Sequence, residues 1–598
     1  MPTTVLKFGS SALRSDADLS CAVDEIYRRT RRGERIIAVV SAIGHATDEL
    51  AARARMWAPD QGSGSLAHLL SSGETASVGL LGLALERAGV PCEALDARAL
   101  GIRTRGPICD AEPVSLDRAQ LDAALSRAPV VIAPGFVGVD EATGRLSLLG
   151  RGGSDLTAVF LAAETGAACA LIKDVDGVYS SDPNATIGAT RYERISWRRA
   201  ERVGAGLVQF KALCFAERAG IEIEVTSFAP ARSTIVGAGP DRIWTGLRDR
   251  RPLRVALLGR GVVGAGVYDR LLSRPDLFEL VAVAVRRPER HADIVPPDLL
   301  VSDPWEAIRR DSDLVIELIG GTEPAGELIE GALRRARHVV TANKALIAQR
   351  GADLEAIAGQ HDRTLLFSGA VGGSTPAIDL VDATAADSPI TRIEGVLNGT
   401  TSFVLDEIAR GCDFAEAVAE AQRRGYAEAD PSLDISGEDL RHKVQILARR
   451  AWGDGPIVFA RRTGLGGVDE TWVRAQRAQG RIVRLVGAAW QKGGRIVAST
   501  TLRALAATDP LGSVTGAGNA LTVTCADGSV RPARGVGAGR WPTTAAVFAD
   551  LLDIAAGAPR PRDLLPGARA SRPREFAVAE VEAYAAAQPA TARQEVAR

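Results

Sequence analysis

The 598-residue sequence has no excess of either charge, no paired cysteines and no apolar run long enough to cross a bilayer. Lysine and arginine total 72 against 73 for aspartate and glutamate, so bulk charge draws the chain neither to nucleic acid nor to an anionic membrane. The seven cysteines are scattered, without a CxxC pair or a His/Cys cluster, which argues against structural zinc and for a reducing compartment. No basic stretch followed by an apolar one opens the chain, so no signal peptide is evident. These absences lead to the expectation of a cytoplasmic protein with no nucleic-acid and no membrane partner. The length suits about two to four domains.

Short apolar runs alternate with amphipathic stretches almost throughout. RIIAVVS, PVVIAPGF and ACALIKDV read as buried strands, and DLSCAVDEIYRRTRR and SLAHLLSSGETASVGLLGLALERAG as helices. The pattern predicts an α/β fold with mostly parallel sheets. A Gly-, Pro- and Arg-rich patch at residues 238–251 reads as an interdomain linker, after which the alternation restarts. Residues 561–598, rich in Ala, Arg and Pro, read as a helix and a frayed tail.

Beyond the linker, RVALLGRGVVGAG is a strand entering Gly259-x-Gly261-x-x-Gly264 and then a helix, with Val262 and Val263 between the last two glycines. Glycines at this spacing permit a tight turn, close approach to a pyrophosphate and close helix–strand packing, so the segment predicts a dinucleotide site. The next strand ends at Val285, where an NAD site usually places an acidic residue for the ribose 2′-hydroxyl. Arg286 and Arg287 stand there instead. A guanidinium pair suits a 2′-phosphate, which favours NADP over NAD; the plainer alternative is two solvated arginines.

Further on come ELIGG, VVTANKALIA, LNGTTSF and GYAEADPSLDISGEDLRHK. The last is dense in carboxylates, with Glu428, Asp430, Asp434, Glu438 and Asp439 followed by Lys443. Such a run either holds a substrate ammonium and moves a proton, or is a solvated acidic loop. In order and spacing these segments, over roughly residues 253–555, resemble homoserine dehydrogenase. The resemblance implies a Rossmann cofactor domain at 252–375, an α+β substrate and dimerisation domain at 376–525, and a return segment at 526–560 completing the cofactor domain. It implies interconversion of aspartate β-semialdehyde and homoserine with a nicotinamide cofactor, in a homo-oligomer, as part of threonine, methionine and isoleucine biosynthesis. By position in the motifs, Lys443 is the acid/base at the substrate oxygen and Lys344 a second cation facing nicotinamide and substrate. The resemblance further implies that Glu428 would hold the substrate ammonium, that Asp434 and Asp439 would organise the pocket, and that Gly539 in GVGAGRWPT would return to the cofactor. The family loop whose carbonyls hold a monovalent cation, Na⁺ or K⁺, corresponds to Val371, Gly373 and Thr375. Ser368 stands where the family has glutamate, which weakens the case for that ion.

The first half opens on KFGSSALRS, Lys7 to Ser15, a turn that suits either a phosphate or an ordinary strand-to-helix junction. VVSAIGHATDEL, LLSSGETAS, GIRT, PGFVG, LGRGGSDLTA and KDVDGVYSSDP follow in order. Together, over residues 1–237, they resemble the aspartate kinase branch of the amino-acid kinase family. The resemblance implies ATP, its phosphates held by Lys7 and the turn at Gly9, with Mg²⁺ if the domain is active, and a site that includes Ser41 and Thr47. By the same resemblance Glu74 would take the aspartate ammonium and Arg151 its α-carboxylate, while Asp155, Lys173 and Asp174 would shape the two subsites. Three departures gather on the nucleotide side: Ser10 for glycine, Asn184 for arginine and Gly206 for lysine. The regulatory ACT domains that usually follow are absent, and the chain runs from STIVG into the linker. The expectation is a weakened ATP site, with Lys211 and Lys173 as candidate replacements for the missing charge. Function is expected to be homoserine dehydrogenase fused to an aspartate-kinase-like domain. The alternatives are a fully bifunctional enzyme and a non-catalytic amino-acid sensor.

Overall fold

The computed structural model describes residues 2–557, apart from 58–62, 183–184, 187, 205, 229–231, 246–250 and 429. Asn184, part of the linker and the tail at 561–598 therefore lie outside the described residues. Two compact units emerge, Met1–Arg251 with Ala555–Gly557, and Pro252–Ile554.

The first unit is built on a nine-stranded sheet. Thr3–Phe8 lies inside it, parallel to Arg35–Val40 on one side and to Ala168–Ile172 on the other. The last five residues of Thr3–Phe8 and of Arg35–Val40 are all buried, as strands covered on both faces must be. Lys7 interrupts this apolar run one residue before its end. Ser41 and Lys173 directly follow the two flanking strands. Parallel pairing therefore brings Lys7, Ser41 and Lys173 to one edge of the sheet, at the carboxyl ends where α/β folds place their ligands.

The second unit has two layers. Six parallel strands run in the order Leu300–Val301, Phe278–Ala284, Leu253–Leu258, Leu314–Glu317, His338–Thr341, Leu365–Leu366. Numbered along the chain this is 3-2-1-4-5-6, with the switch in direction beside Leu253–Leu258. A second sheet of six strands starts at the edge with Ile457–Arg462 and continues through Arg495–Ala506, Arg481–Lys492, Ile390–Val396, Gly518–Cys525 and Val530–Val536. The helices Gly399–Arg410 and Glu438–Trp452 pack on it.

The return to the cofactor layer starts later than the sequence pattern places it. Val530–Val536 pairs antiparallel with Gly518–Cys525 along its whole length, so it is an edge strand of the second sheet. Only the helix Arg540–Ala556 returns. Its Phe548 meets Phe278 edge-on at 5.8 Å, and a side-chain carbon at Gly266 would stand 2.5 Å from Thr544 Oγ1. That glycine is what lets the returning helix lie against Val262–Leu272. Among the described residues no helix is long and apolar enough to cross a membrane.

Candidate active site

In the second unit, four neighbouring strands end on one edge, and each is followed by a functional segment. Gly259 follows Leu253–Leu258 with φ +95°, and a Cβ there would lie 2.6 Å from the Leu318 carbonyl oxygen. Gly264 leaves no room either, since its Cβ would stand 2.1 Å from the Gly259 carbonyl oxygen. Gly261 differs: it caps the helix Val262–Leu272, and a Cβ there would meet nothing within 4 Å. The space above the helix N-terminus is thus open, with free backbone N–H groups facing it and Val262 70 % exposed beside it, while Val263 is half-buried. Arg286 and Arg287, just past Phe278–Ala284, are exposed, and neither has a carboxylate partner among the described residues. These residues fit a dinucleotide carrying an extra phosphate. Gly539, φ +123°, precedes the returning helix.

The strands Leu314–Glu317 and His338–Thr341 end in a buried hydrogen-bond network. Glu317 is fully buried; its Oε1 accepts from the Ile319 and Gly320 N–H groups at 2.8 and 3.0 Å, and its Oε2 accepts from the Thr341 hydroxyl at 2.6 Å. Asn343 caps the next helix by accepting from the Leu346 N–H, and donates through Nδ2 to the Gly321 carbonyl at 2.5 Å. Lys344 is the first residue of that helix, so this network sets where it starts.

Lys344 reaches the helix Glu438–Trp452. Its Nζ is 2.5 Å from Asp439 Oδ1, and Lys443 Nζ, one turn further along the same helix, is 2.8 Å from Asp439 Oδ2. Lys443 also donates to the Leu397 carbonyl at 2.6 Å. Asp439 is 2 % exposed, so burial alone would push it up; Lys443 and Lys344 outweigh that and hold its carboxyl well below the usual carboxylate range. Burial pushes Lys443 below the usual lysine value, against the opposing pull of Asp439 and with Lys344 adding to the fall. Burial acts to lower Lys344 too, but Asp439, with smaller contributions from Asp434 and Glu428, leaves it raised. Asn398 Nδ2 joins Asp434 and Asp439, donating at 2.7 and 2.8 Å, and Thr400 Oγ1 lies 3.1 Å from Asp434 Oδ2. Glu428 is exposed and lies near enough to act on the charge of Lys344.

The loop Ser368–Pro376 packs on the segment that precedes the returning helix. The Ser374 N–H donates to the Val536 carbonyl at 3.0 Å, and a Cβ at Gly373 would stand 2.4 Å from that same oxygen. Val371 is fully buried, and the Thr375 carbonyl accepts from the Ala377 N–H at 2.7 Å. Ser368 is satisfied by Asp550, its hydroxyl donating at 2.7 Å and its N–H at 2.9 Å. The negative charge here therefore comes from the returning helix and not from position 368.

In the first unit Lys7, Gly9, Ser41, Thr47, Glu74, Arg151, Asp155, Lys173 and Asp174 all line one cavity of about 900 Å³. Lys7 Nζ is 2.7 Å from Asp155 Oδ1 and Lys173 Nζ 3.0 Å from Oδ2. Asp155 is buried, yet Lys173 and Lys7 hold its carboxyl well below the usual range. Burial pushes Lys173 down to about 8, opposed by Asp155 and helped by Lys7. Glu74, 2 % exposed, is pushed up to about 7 by burial although the Ala42 N–H donates to it at 3.2 Å. Arg151 and Asp174 are exposed at the rim. Gly206 is on the wall, whereas Lys211 is tied to Asp110 and does not line the cavity.

The sequence motifs contain Asn398, Glu317 and Thr341 without assigning them a part. The only signal for Asn398 is its place as the cap before an apolar helix; for the other two there is none, because their partners are distant in sequence.

Asp439 and Asp155 have lowered folded-state pKa values, so the stability each contributes is fully present above the unfolded carboxylate value of about 3.9 and is lost as pH falls below it. Urea unfolding of Asp439→Asn and Asp155→Asn beside the parent chain should show stability gaps that are constant from about pH 7 to 5 and shrink below about pH 4. Gaps that widen on acidification would contradict the pairing.

Residues 376–552 match the family described as homoserine dehydrogenase, residues 259–368 the homoserine dehydrogenase NAD binding domain, and residues 2–227 the amino acid kinase family. The chain is 34% identical over 319 residues to the homoserine dehydrogenase of Neisseria gonorrhoeae, covering 51% of this chain and 73% of that protein. It is 35% identical to that of Synechocystis, covering 50% and 73%. Among solved structures, the homoserine dehydrogenase of Thiobacillus denitrificans is 32% identical with a TM-score of 0.48, covering 51% of this chain and 73% of the other. The chain belongs to the homoserine dehydrogenase family, as an NAD(P)-dependent oxidoreductase carrying an amino-acid-kinase-family domain ahead of its dehydrogenase domains.

Proposed function

We propose that the second unit interconverts aspartate β-semialdehyde and homoserine, with NADP(H) the preferred cofactor. The observation that carries this is Lys443, buried, with its ammonium fixed between Asp439 and the Leu397 carbonyl. The nicotinamide, when bound, supplies or takes up the hydride. Lys443 handles the accompanying proton: it gives one to the carbonyl oxygen as the aldehyde becomes an alcohol, and takes one from the hydroxyl in the reverse direction. Its lowered pKa makes both protonation states reachable below the usual lysine range. Lys344, raised by Asp439, stays cationic and keeps positive charge beside the substrate oxygen. Glu428 and Asp434 supply the negative side of the pocket, which suits a substrate ammonium. Arg286 and Arg287, free of carboxylates, suit the 2′-phosphate.

Lys443→Ala should lower kcat for NADPH consumption with aspartate semialdehyde by ~10²–10⁴-fold, with the chain still folded. In the parent enzyme homoserine oxidation should rise with pH as Lys443 loses its proton, and aldehyde reduction should fall. A variant with near-full rate removes Lys443 from the mechanism.

Replacing Arg286 and Arg287 together by Ala should lower kcat/KM for NADP(H) and shift preference toward NAD(H). Each lost contact to the phosphate is worth roughly 1.5–3 kcal/mol. Equal kcat/KM for the two cofactors in the parent enzyme would refute the assignment.

For the first unit we infer aspartate and nucleotide binding in the cavity around Asp155. Glu74 suits the ammonium and Arg151 the α-carboxylate, and the glycine turns leave room for phosphates. ATP- and aspartate-dependent acyl-phosphate formation, trapped with hydroxylamine, measures its turnover. Hydroxamate that disappears in Lys7→Ala marks a working kinase; no hydroxamate, with the dehydrogenase active, marks a ligand-sensing domain.

A further inference from the structure

In the first unit two ammonium groups face one carboxylate from adjacent strands. Lys7 lies in Thr3–Phe8, whose register pairs it with Leu171, and Lys173 follows the end of Ala168–Ile172. The backbone of Lys173 is held by its N–H donating to the Thr226 carbonyl at 2.7 Å. The side chains of Lys7 and Lys173 are each 8 % exposed and that of Asp155 2 %, so the trio is a built feature and not a surface pairing. Two cations against one carboxylate leave one positive charge over, inside a cavity of about 900 Å³.

Asp48, Asp174, Asp182 and Arg151 also line the cavity at exposed positions, so the buried excess of positive charge is that of the trio. Gly9, Gly150, Gly152, Gly153 and Gly177 line the same cavity, and a Cβ at Gly9 would stand 2.5 Å from Lys7 Nζ, so no side chain of residue 9 shields the ammonium. The 13-residue helix Gly153–Thr165 begins at this cavity, but its Gly153 and Asp155 N–H groups are already given to the Gly150 and Gly152 carbonyls, at 3.0 and 3.1 Å, so the charge on offer is that of the lysines. Glu74, the other buried carboxyl of the cavity, has a pKa near neutrality and is only a partial counter-charge.

Position 206 brings no charge to the cavity. Gly206 lines the cavity at φ +83° with nothing within 4 Å of its would-be Cβ, so that stretch of wall offers no cation. Lys211 does not fill the gap, because Asp110 and the Leu149 carbonyl hold it. Lys173 is different. It lines the cavity, which Lys211 does not, and its ammonium keeps a donor beyond the two it gives to the Asp155 oxygens.

We propose that Lys173 is the second phosphate-facing cation of this cavity, supplying from the end of Ala168–Ile172 the charge that position 206 lacks. The ligand class is a nucleoside di- or triphosphate, held through its polyphosphate by Lys7 and Lys173 together while Asp155 fixes both. This rests on the reading of the cavity as a nucleotide and aspartate site, and names the residue on which its phosphate affinity depends.

Calorimetric titration of the full chain with MgADP and with inorganic tripolyphosphate tests the assignment. Lys173→Met should weaken both probes by about tenfold or more, the loss expected of one charge-assisted contact. Lys173→Arg should retain most of the affinity, and Lys211→Met should stay within about twofold of the parent. Far-UV dichroism and the thermal transition establish that each variant is folded, and Lys173→Gln is the neutral replacement if the Met variant is not. Affinity unchanged in the folded neutral variant, a loss in Lys211→Met instead, or a parent chain that binds neither probe at millimolar concentration would overturn the proposal. If binding depends on Lys173 but no hydroxamate forms with aspartate, the kinase reading fails and the role of Lys173 stands.

Discussion

A carboxylate buried beyond the reach of water must be paired, and both units solve this with two lysines. Asp439 sits between Lys344 and Lys443, and Asp155 between Lys7 and Lys173. The construction differs. Asp439 and Lys443 share one helix at i,i+4 spacing and Lys344 arrives at the start of another, whereas Asp155 lies in the first turn of a helix and its lysines come from two adjacent strands. The electrostatic outcome is similar: a fixed anion between two lysines, one of which, Lys443 in one trio and Lys173 in the other, lies below the usual lysine value. A buried ion pair is weak evidence for stability, since an apolar replacement often does as well. What the trios supply is placement. Each holds ammonium groups that would otherwise swing on four-carbon stems, and each keeps one lysine titratable nearer neutrality.

Everything else positions these trios. Parallel strands end together, so segments far apart in sequence arrive at one edge: Gly259, Arg286, Glu317 and Lys344 in one sheet, Lys7, Ser41 and Lys173 in the other. Glycines then set how near a backbone can come. Gly264 and Gly373 are filled against neighbouring carbonyls, while Gly261 opens on empty space. The same residue type serves packing in two of these positions and access in the third.

The α/β class and the family were legible in the sequence because each functional segment follows an apolar strand run and keeps its order along the chain. Carboxylate density marked the stretch around Asp439, and strand-then-glycine marked Gly259 to Gly264. Pairings across the fold were not legible. Nothing local says that Asn398 spans Asp434 and Asp439, or that Glu317 anchors both the turn at Gly320 and Thr341. Lys211 and Lys173 read alike as spare cations, and only burial against Asp155 separates them. The start of the return segment was missed for a related reason: Val530–Val536 is a plausible strand on its own pattern, but the sheet it joins depends on register with Gly518–Cys525.

The late return of Arg540–Ala556 has a consequence for how the protein is made. Thr544 and Val263, which approach through the Thr544 hydroxyl, are 281 residues apart in the chain. The ribosome releases the Gly259 turn long before the helix that covers its layer, and the whole second sheet emerges in between. The dinucleotide layer is therefore the first part of this unit to be synthesised and the last to be finished. The helix that packs on Gly266 joins it only after the chain has supplied every strand of its neighbour.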